Sequence, residues 1–200
     1  MHSVIELSCP GCGARVTTGQ KECDFCHNPI IISTFNSVYS MSLTDVNKYA
    51  NGYRKALSEH PENNELNCSI AMCYLKLKLY DKASKAFEKA IESNFDNSET
   101  YFYAAISLLN GKKAYLQQRN TINKIEEFIN AALLLELKGI YYYFLAYIKY
   151  DFHNRKGFKT SPDYIEALNL AYDIGVSEYD VMQLFEILGV EIPEPLLNFD

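Results

Sequence analysis

The chain has 200 residues, 48% of them hydrophobic, with 16 Tyr, 11 Phe and no Trp, so it can bury a core for one medium domain and a small one. Its net charge of −6 and pI near 5.3 argue against nonspecific nucleic-acid binding, which needs an excess of Lys and Arg over phosphate. Met1–Leu7 has neither a basic start nor a long apolar run, no stretch is long enough to cross a bilayer, and six cysteines without a secretory signal suit a reducing cytoplasm.

The first element is set by cysteines. Cys9, Cys12, Cys23 and Cys26 form C-x2-C, ten residues, then C-x2-C. Two thiolates three apart on a tight turn can face one ion, and two such turns complete a tetrahedron around Zn2+. Gly13, directly after Cys12, permits the positive φ that turns amides toward sulfur. A segment this short cannot bury enough apolar surface to fold unaided, so one structural Zn2+ would supply the folding energy, about 10–16 kcal/mol apparent at neutral pH.

A pair of disulfides is the alternative use of these cysteines. A thioredoxin-like oxidoreductase built on Cys9-Pro10-Gly11-Cys12 needs a helix starting at the first cysteine. Gly13–Gly19 is hairpin material instead, and the second C-x2-C would go unexplained.

The segment resembles the short bacterial zinc ribbons that read C-P-x-C-G-x-x-V and, about nine residues later, C-x-x-C-G-x-x-I. The resemblance puts the four cysteines on ligand positions and Val16, Phe25 and Ile30 on the small core. His27 departs from it, standing where the family has glycine, and is expected to be a surface residue rather than a ligand. The alternative function is a nucleic-acid-associated factor that uses the ribbon. A basic surface would support that function, but Arg15 and Lys21 are outweighed here by Glu6, Glu22 and Asp24.

Residues 1–35 are therefore assigned to a ribbon and 36–42 to a connector, in which Val38 and Tyr39, following Phe35, are expected to pack. Residues 43–200 form a helical repeat domain. Ser42-Leu43-Thr44-Asp45 suits a helix start. A 34-residue period follows: Tyr53 and Ala56 return as Phe87 and Ala90, and Ala71 as Ala105. A further shift of 41 carries Phe87 to Phe128, Ala90 to Ala131 and Ala105 to Ala146, with the extra residues in 112–123. The period predicts helices over 43–59, 64–78, 81–93, 97–110, 121–136, 139–153 and 162–174, with a capping helix at 177–188.

Self-similarity at 34 residues is the mark of tetratricopeptide helix pairs, and K-A-S-K-A-F-E-K-A over 82–90 matches that family closely. The chain resembles a tetratricopeptide (TPR) protein over about 43–189. The expected fold is mainly α: a TPR-like α-solenoid of antiparallel helix pairs with a small N-terminal β zinc ribbon.

The resemblance implies a non-enzymatic adaptor whose first helices line a groove for an apolar peptide or helix of another protein. It puts Met72, Lys76, Phe102, Ile106, Asn110, Tyr143, Tyr147 and Tyr150 in that groove, with Glu65, Glu99 and Asp151 at the rim. The competing reading makes these rings core, or covers them with the N-terminal segment. The Lys, Asn and Arg pattern of a carboxylate clamp is missing. Lys112, Lys113, Arg119 and Lys124, and separately Arg155, Lys156 and Lys159, form basic loops that are expected to be solvated. Four scattered histidines and the lack of a phosphate-binding glycine loop argue against an enzyme.

Overall fold

A computed structural model describes residues 4–197. Residues 1–3 and 198–200, assigned above to the two ends of the ribbon and the repeat domain, lie outside the described residues. The chain divides into two compact units, 1–95 and 96–200. The boundary between them falls between helix pairs, after the helix Tyr80–Ser93.

In the first unit, strands β1 (Glu6–Ser8) and β2 (Arg15–Thr17) pair antiparallel with Leu7 opposite Val16. Their alternation turns Leu7 and Val16 inward while Glu6 and Arg15 face water. So small a sheet has no core of its own and leans on a helix. Tyr49 and Tyr53 of α2 (Leu43–Glu59) donate their hydroxyls to the carbonyls of Pro29 and Ile30, at 2.9 and 2.8 Å. At Gly52 an added Cβ would stand 3.3 Å from Pro10. Glycine is what lets the ribbon approach α2 this closely.

The connector packs as expected. It contains a short helix, α1 (Phe35–Tyr39), that buries Phe35 and Val38. Just before it, the Ile32 amide donates to the Ser69 hydroxyl at 3.0 Å, and that hydroxyl lies 3.2 Å from the Ile32 carbonyl. The N-terminal segment is thereby fastened along α3 (Asn64–Lys76). Helix α4 (Tyr80–Ser93) pairs with α3 and buries Ala83, Phe87 and Ala90, spaced as one face of a helix.

The second unit contains α5 (Ser98–Leu108), α6 (Arg119–Leu135), α7 (Gly139–Ile148), α8 (Tyr164–Ile174) and α9 (Glu178–Leu188). α5 packs on α6, and α7 on α8. Side-chain caps start the later helices: Asp163 and Ser177 each complete a capping box, with Glu166 and Asp180. Gly189, at φ 68°, ends α9.

The helix boundaries fall within about two residues of those read from the period, except that α7 ends at Ile148 and runs on as a π turn, Lys149–His153. One register differs. Helix α6 buries Ile122, Ile125, Ile129 and Ala132, whereas Phe128 and Ala131 are half-buried. Ile129 and Ala132, not Phe128 and Ala131, are thus the counterparts of Phe87 and Ala90. The insertion before α6 is one residue longer than the sequence period suggested.

Candidate metal centre and the first-helix positions

The four cysteine sulfurs converge, with all of them within 4.8 Å of one another. Cys9 and Cys26 lie 3.7 Å apart at sulfur, as do Cys12 and Cys23. A Zn–S bond of about 2.3 Å makes the edge of a thiolate tetrahedron about 3.8 Å. A disulfide would need about 2.05 Å. The donor set and spacing fit a tetrahedral metal ion with four sulfur ligands.

The two knuckles that present these sulfurs are near copies. In the first, the Gly13 amide donates to the Cys9 carbonyl at 2.8 Å and the Cys9 amide to the Ala14 carbonyl at 2.7 Å. In the second, the His27 amide donates to the Cys23 carbonyl at 2.8 Å and the Cys23 amide to the Asn28 carbonyl at 3.0 Å. Gly13 and His27 both take left-handed backbone, at φ 83° and 56°. Left-handed backbone of this kind favours glycine, which stands at the first place but not at the second. His27 holds a glycine's position with an exposed side chain, and it is absent from the ion-competent cluster.

Amides also tune the sulfurs. Those of Phe25 and Cys26 hold the Cys23 thiol down, to about 7. At Cys9 burial wins and raises the thiol, although the amides of Cys12 and Gly11 pull the other way. The apolar triad of the ribbon is only two-thirds as expected. Val16 and Ile30 are buried, but Phe25 is 76% exposed, because the knuckle turn aims it outward.

The first-helix positions are where expectation and structure part. Met72, Phe102, Ile106, Tyr143 and Tyr147 are all at most 4% exposed. Phe102 packs between Tyr141, at 4.6 Å, and Phe144, at 5.8 Å. Tyr147 meets Phe185 of α9 edge-on at 5.2 Å, and Tyr143 meets the same ring at 6.4 Å while donating its hydroxyl to the Leu196 carbonyl. These five are core side chains, not open anchors. Of the remaining three, Lys76 stays half-exposed with its ammonium 4.3 Å over the Tyr39 ring. Tyr150 is half-buried against Tyr164, and Asn110 is exposed, at φ 52°.

The insertion accounts for part of this burial. Its Ala114 amide donates to the Tyr147 hydroxyl at 3.2 Å, and its Tyr115 amide to the Asp151 carboxylate at 2.8 Å. Asp151, expected at a rim, is 2% exposed and also takes Arg155 at 2.5 Å. The basic stretches are not wholly free. The Arg155 and Lys156 cations lie 4.5 and 4.9 Å from the Tyr115 ring, and Arg119 lies 5.2 Å from Phe158.

Sequence reasoning missed a buried ionic group on the π turn. Glu126 of α6 accepts from Lys149 at 3.2 Å and pairs with His153 Nε2 at 2.7 Å. Both Lys149 and His153 are under 8% exposed. The only signal was two basic residues four apart in an otherwise apolar helix, which a groove reading treats as surface. Among the described residues the four cysteines are the one group of three or more His, Cys, Asp or Glu side chains able to share an ion.

No protein-family model matches the chain, and no curated protein matches it. Solved structures do. MamA MSR-1 C2 is 17% identical, with a TM-score of 0.51, over 64% of this chain and 67% of its own. A crystal structure of MamA is 16% identical, with a TM-score of 0.55, over 73% of this chain and 76% of its own. MamA is a TPR-containing protein. At this identity the likeness concerns the fold: mainly helical, of the TPR-like α-solenoid class, with a small two-stranded sheet.

Proposed function

We propose that this chain is a non-enzymatic adaptor that holds another protein on its helix pairs, with a zinc-bound ribbon as a structural element. The observation that carries the adaptor reading is the antiparallel pairing of α3 with α4, α5 with α6 and α7 with α8 in a TPR-like fold. Paired helices of this kind present rigid faces whose geometry is fixed before a partner arrives, so little ordering entropy is lost on binding. Catalysis would need converging acid, base and nucleophile side chains at an open cleft, whereas the ionic group at Glu126 is enclosed in the second unit.

Zn2+ is the ion we assign to Cys9, Cys12, Cys23 and Cys26. Four thiolates close the coordination sphere and leave no position for substrate, which makes the ion a crosslink rather than a Lewis acid. Six cysteines, four of them placed to share one ion, suit a reducing compartment, and we place the protein in the cytoplasm. Contact with a partner would use first-helix side chains that remain accessible: Lys76 in the first unit, and Asn110 and Tyr150 in the second.

Crosslinking in native cells followed by peptide mapping tests the reading. It predicts crosslinks from α3 through α8 to one recurrent protein. Crosslinks confined to residues 9–30, or co-purifying nucleic acid, would overturn it in favour of a ribbon that binds nucleic acid.

A further inference from the structure

Helix α4 carries Lys82, Lys85 and Lys89 at i, i+3 and i+7, which places them on one face. Lys85 and Lys89 are a like-charge pair at i, i+4, which by itself weakens a helix. Across α3, helix α2 contributes Arg54. Between these four cations lies a hollow of about 280 Å3, floored by Leu57, Ile70 and Tyr74. No Asp or Glu lines it, and none of the four cations forms an ion pair among the described residues, in a chain whose net charge is −6.

Two of the cations are also held in position. Arg54 Nη1 donates to Asn51 at 2.9 Å, and Nε to the Tyr74 hydroxyl at 3.4 Å. The Lys82 ammonium lies 5.8 Å from the Tyr74 ring. An apolar floor below a cationic ring suits a ligand with one apolar group among negative charges. The volume lies near the lower end of the range of about 300–1,000 Å3 usual for small-molecule sites and leaves room for a single large side chain.

We infer that the hollow between α2 and α4 docks an acidic protein segment, which inserts one apolar side chain between Arg54 and the Lys82–Lys89 stripe. The inference rests on the adaptor reading and deepens it by giving the chemistry of one partner. Charge complementarity would set the rate and orientation of docking, and the apolar side chain would provide the anchor.

The test uses the full chain and a fluorescent glutamate-rich peptide with one central leucine. Binding is followed by anisotropy at low and high salt. We expect saturable binding that weakens with salt. It should fall about tenfold or more in Lys85→Glu/Lys89→Glu, survive in Lys85→Arg/Lys89→Arg, and weaken when the leucine is replaced by serine. The two lysines are exposed, so circular dichroism should show every variant folded.

Equal binding of a glutamine version of the peptide would overturn the proposal. So would no loss in the Glu variant, or tighter binding of a single-stranded oligonucleotide that the same variant abolishes. Repeating the crosslinking with the Glu variant separates the two claims. If its helix crosslinks persist while the peptide never binds, the hollow is refuted and the adaptor reading stands.

Discussion

Replacing Tyr147 with alanine distinguishes a core ring from a binding anchor. The ring is 1% exposed, edge-on to Phe185 at 5.2 Å and nearly parallel to Phe144 at 6.3 Å. Truncating a buried aromatic side chain to alanine costs about 3–5 kcal/mol. The upper half of that range applies, because Phe185 also loses an aromatic partner, worth about 0.5–1.5 kcal/mol. The hydroxyl can be weighed separately. Tyr147→Phe keeps the ring but leaves the buried Ala114 amide without its acceptor, at about 1–3 kcal/mol. Urea denaturation read by circular dichroism should rank wild type above Tyr147→Phe, and that above Tyr147→Ala. The melting temperature of the alanine variant should fall on the order of 10 °C. If Tyr147→Ala melted with wild type while losing a crosslinked partner, the ring would be an anchor and the burial argument would fail.

Gly139→Ala should be severely destabilising, because its Cβ would lie 2.2 Å from the Gly175 carbonyl oxygen and 2.6 Å from that of Ala171. Backbone atoms cannot turn aside, so the start of α7 must separate from α8. We expect at least about 3 kcal/mol by denaturation, and a loss under 1 kcal/mol would mean that the two helices do not meet there. His27→Gly should raise ribbon stability by up to about 1 kcal/mol, since a non-glycine residue at φ 56° is strained. It should also leave the metal content unchanged, and a loss of metal would make His27 a ligand.

The helical framework was legible in the sequence because small and aromatic side chains recur where antiparallel helices touch. Ala71, Ala105 and Ala146 are all fully buried, as that spacing requires. The cysteine pairs were legible because their chemistry leaves few alternatives. The face of each first helix was not. Gly139–Ile148 is apolar all round, so its sequence does not say which side faces a groove and which faces a neighbour. What decides this comes from distant segments: α9 through Phe185, the insertion through Ala114, and the chain near Leu196. The equivalent face of α3 lies under the N-terminal segment through Ile32 and Ser69. The one-residue shift in α6 escaped notice because Phe128 and Ile129 are both apolar, and a repeat match favours the aromatic. Phe25 was misplaced for a similar reason, since a family pattern fixes position along the chain but not the direction of a turn.

On the proposed reading, the placement of the ribbon against α2 depends on an ion at the four cysteines, and elemental analysis of untagged protein tests this most directly. The account predicts about one zinc per chain, lost in Cys23→Ser. Amide exchange should then rise across residues 5–30, while the helices keep their circular-dichroism signal. A metal-free protein with a protected, folded ribbon and both cysteine pairs oxidised would contradict it.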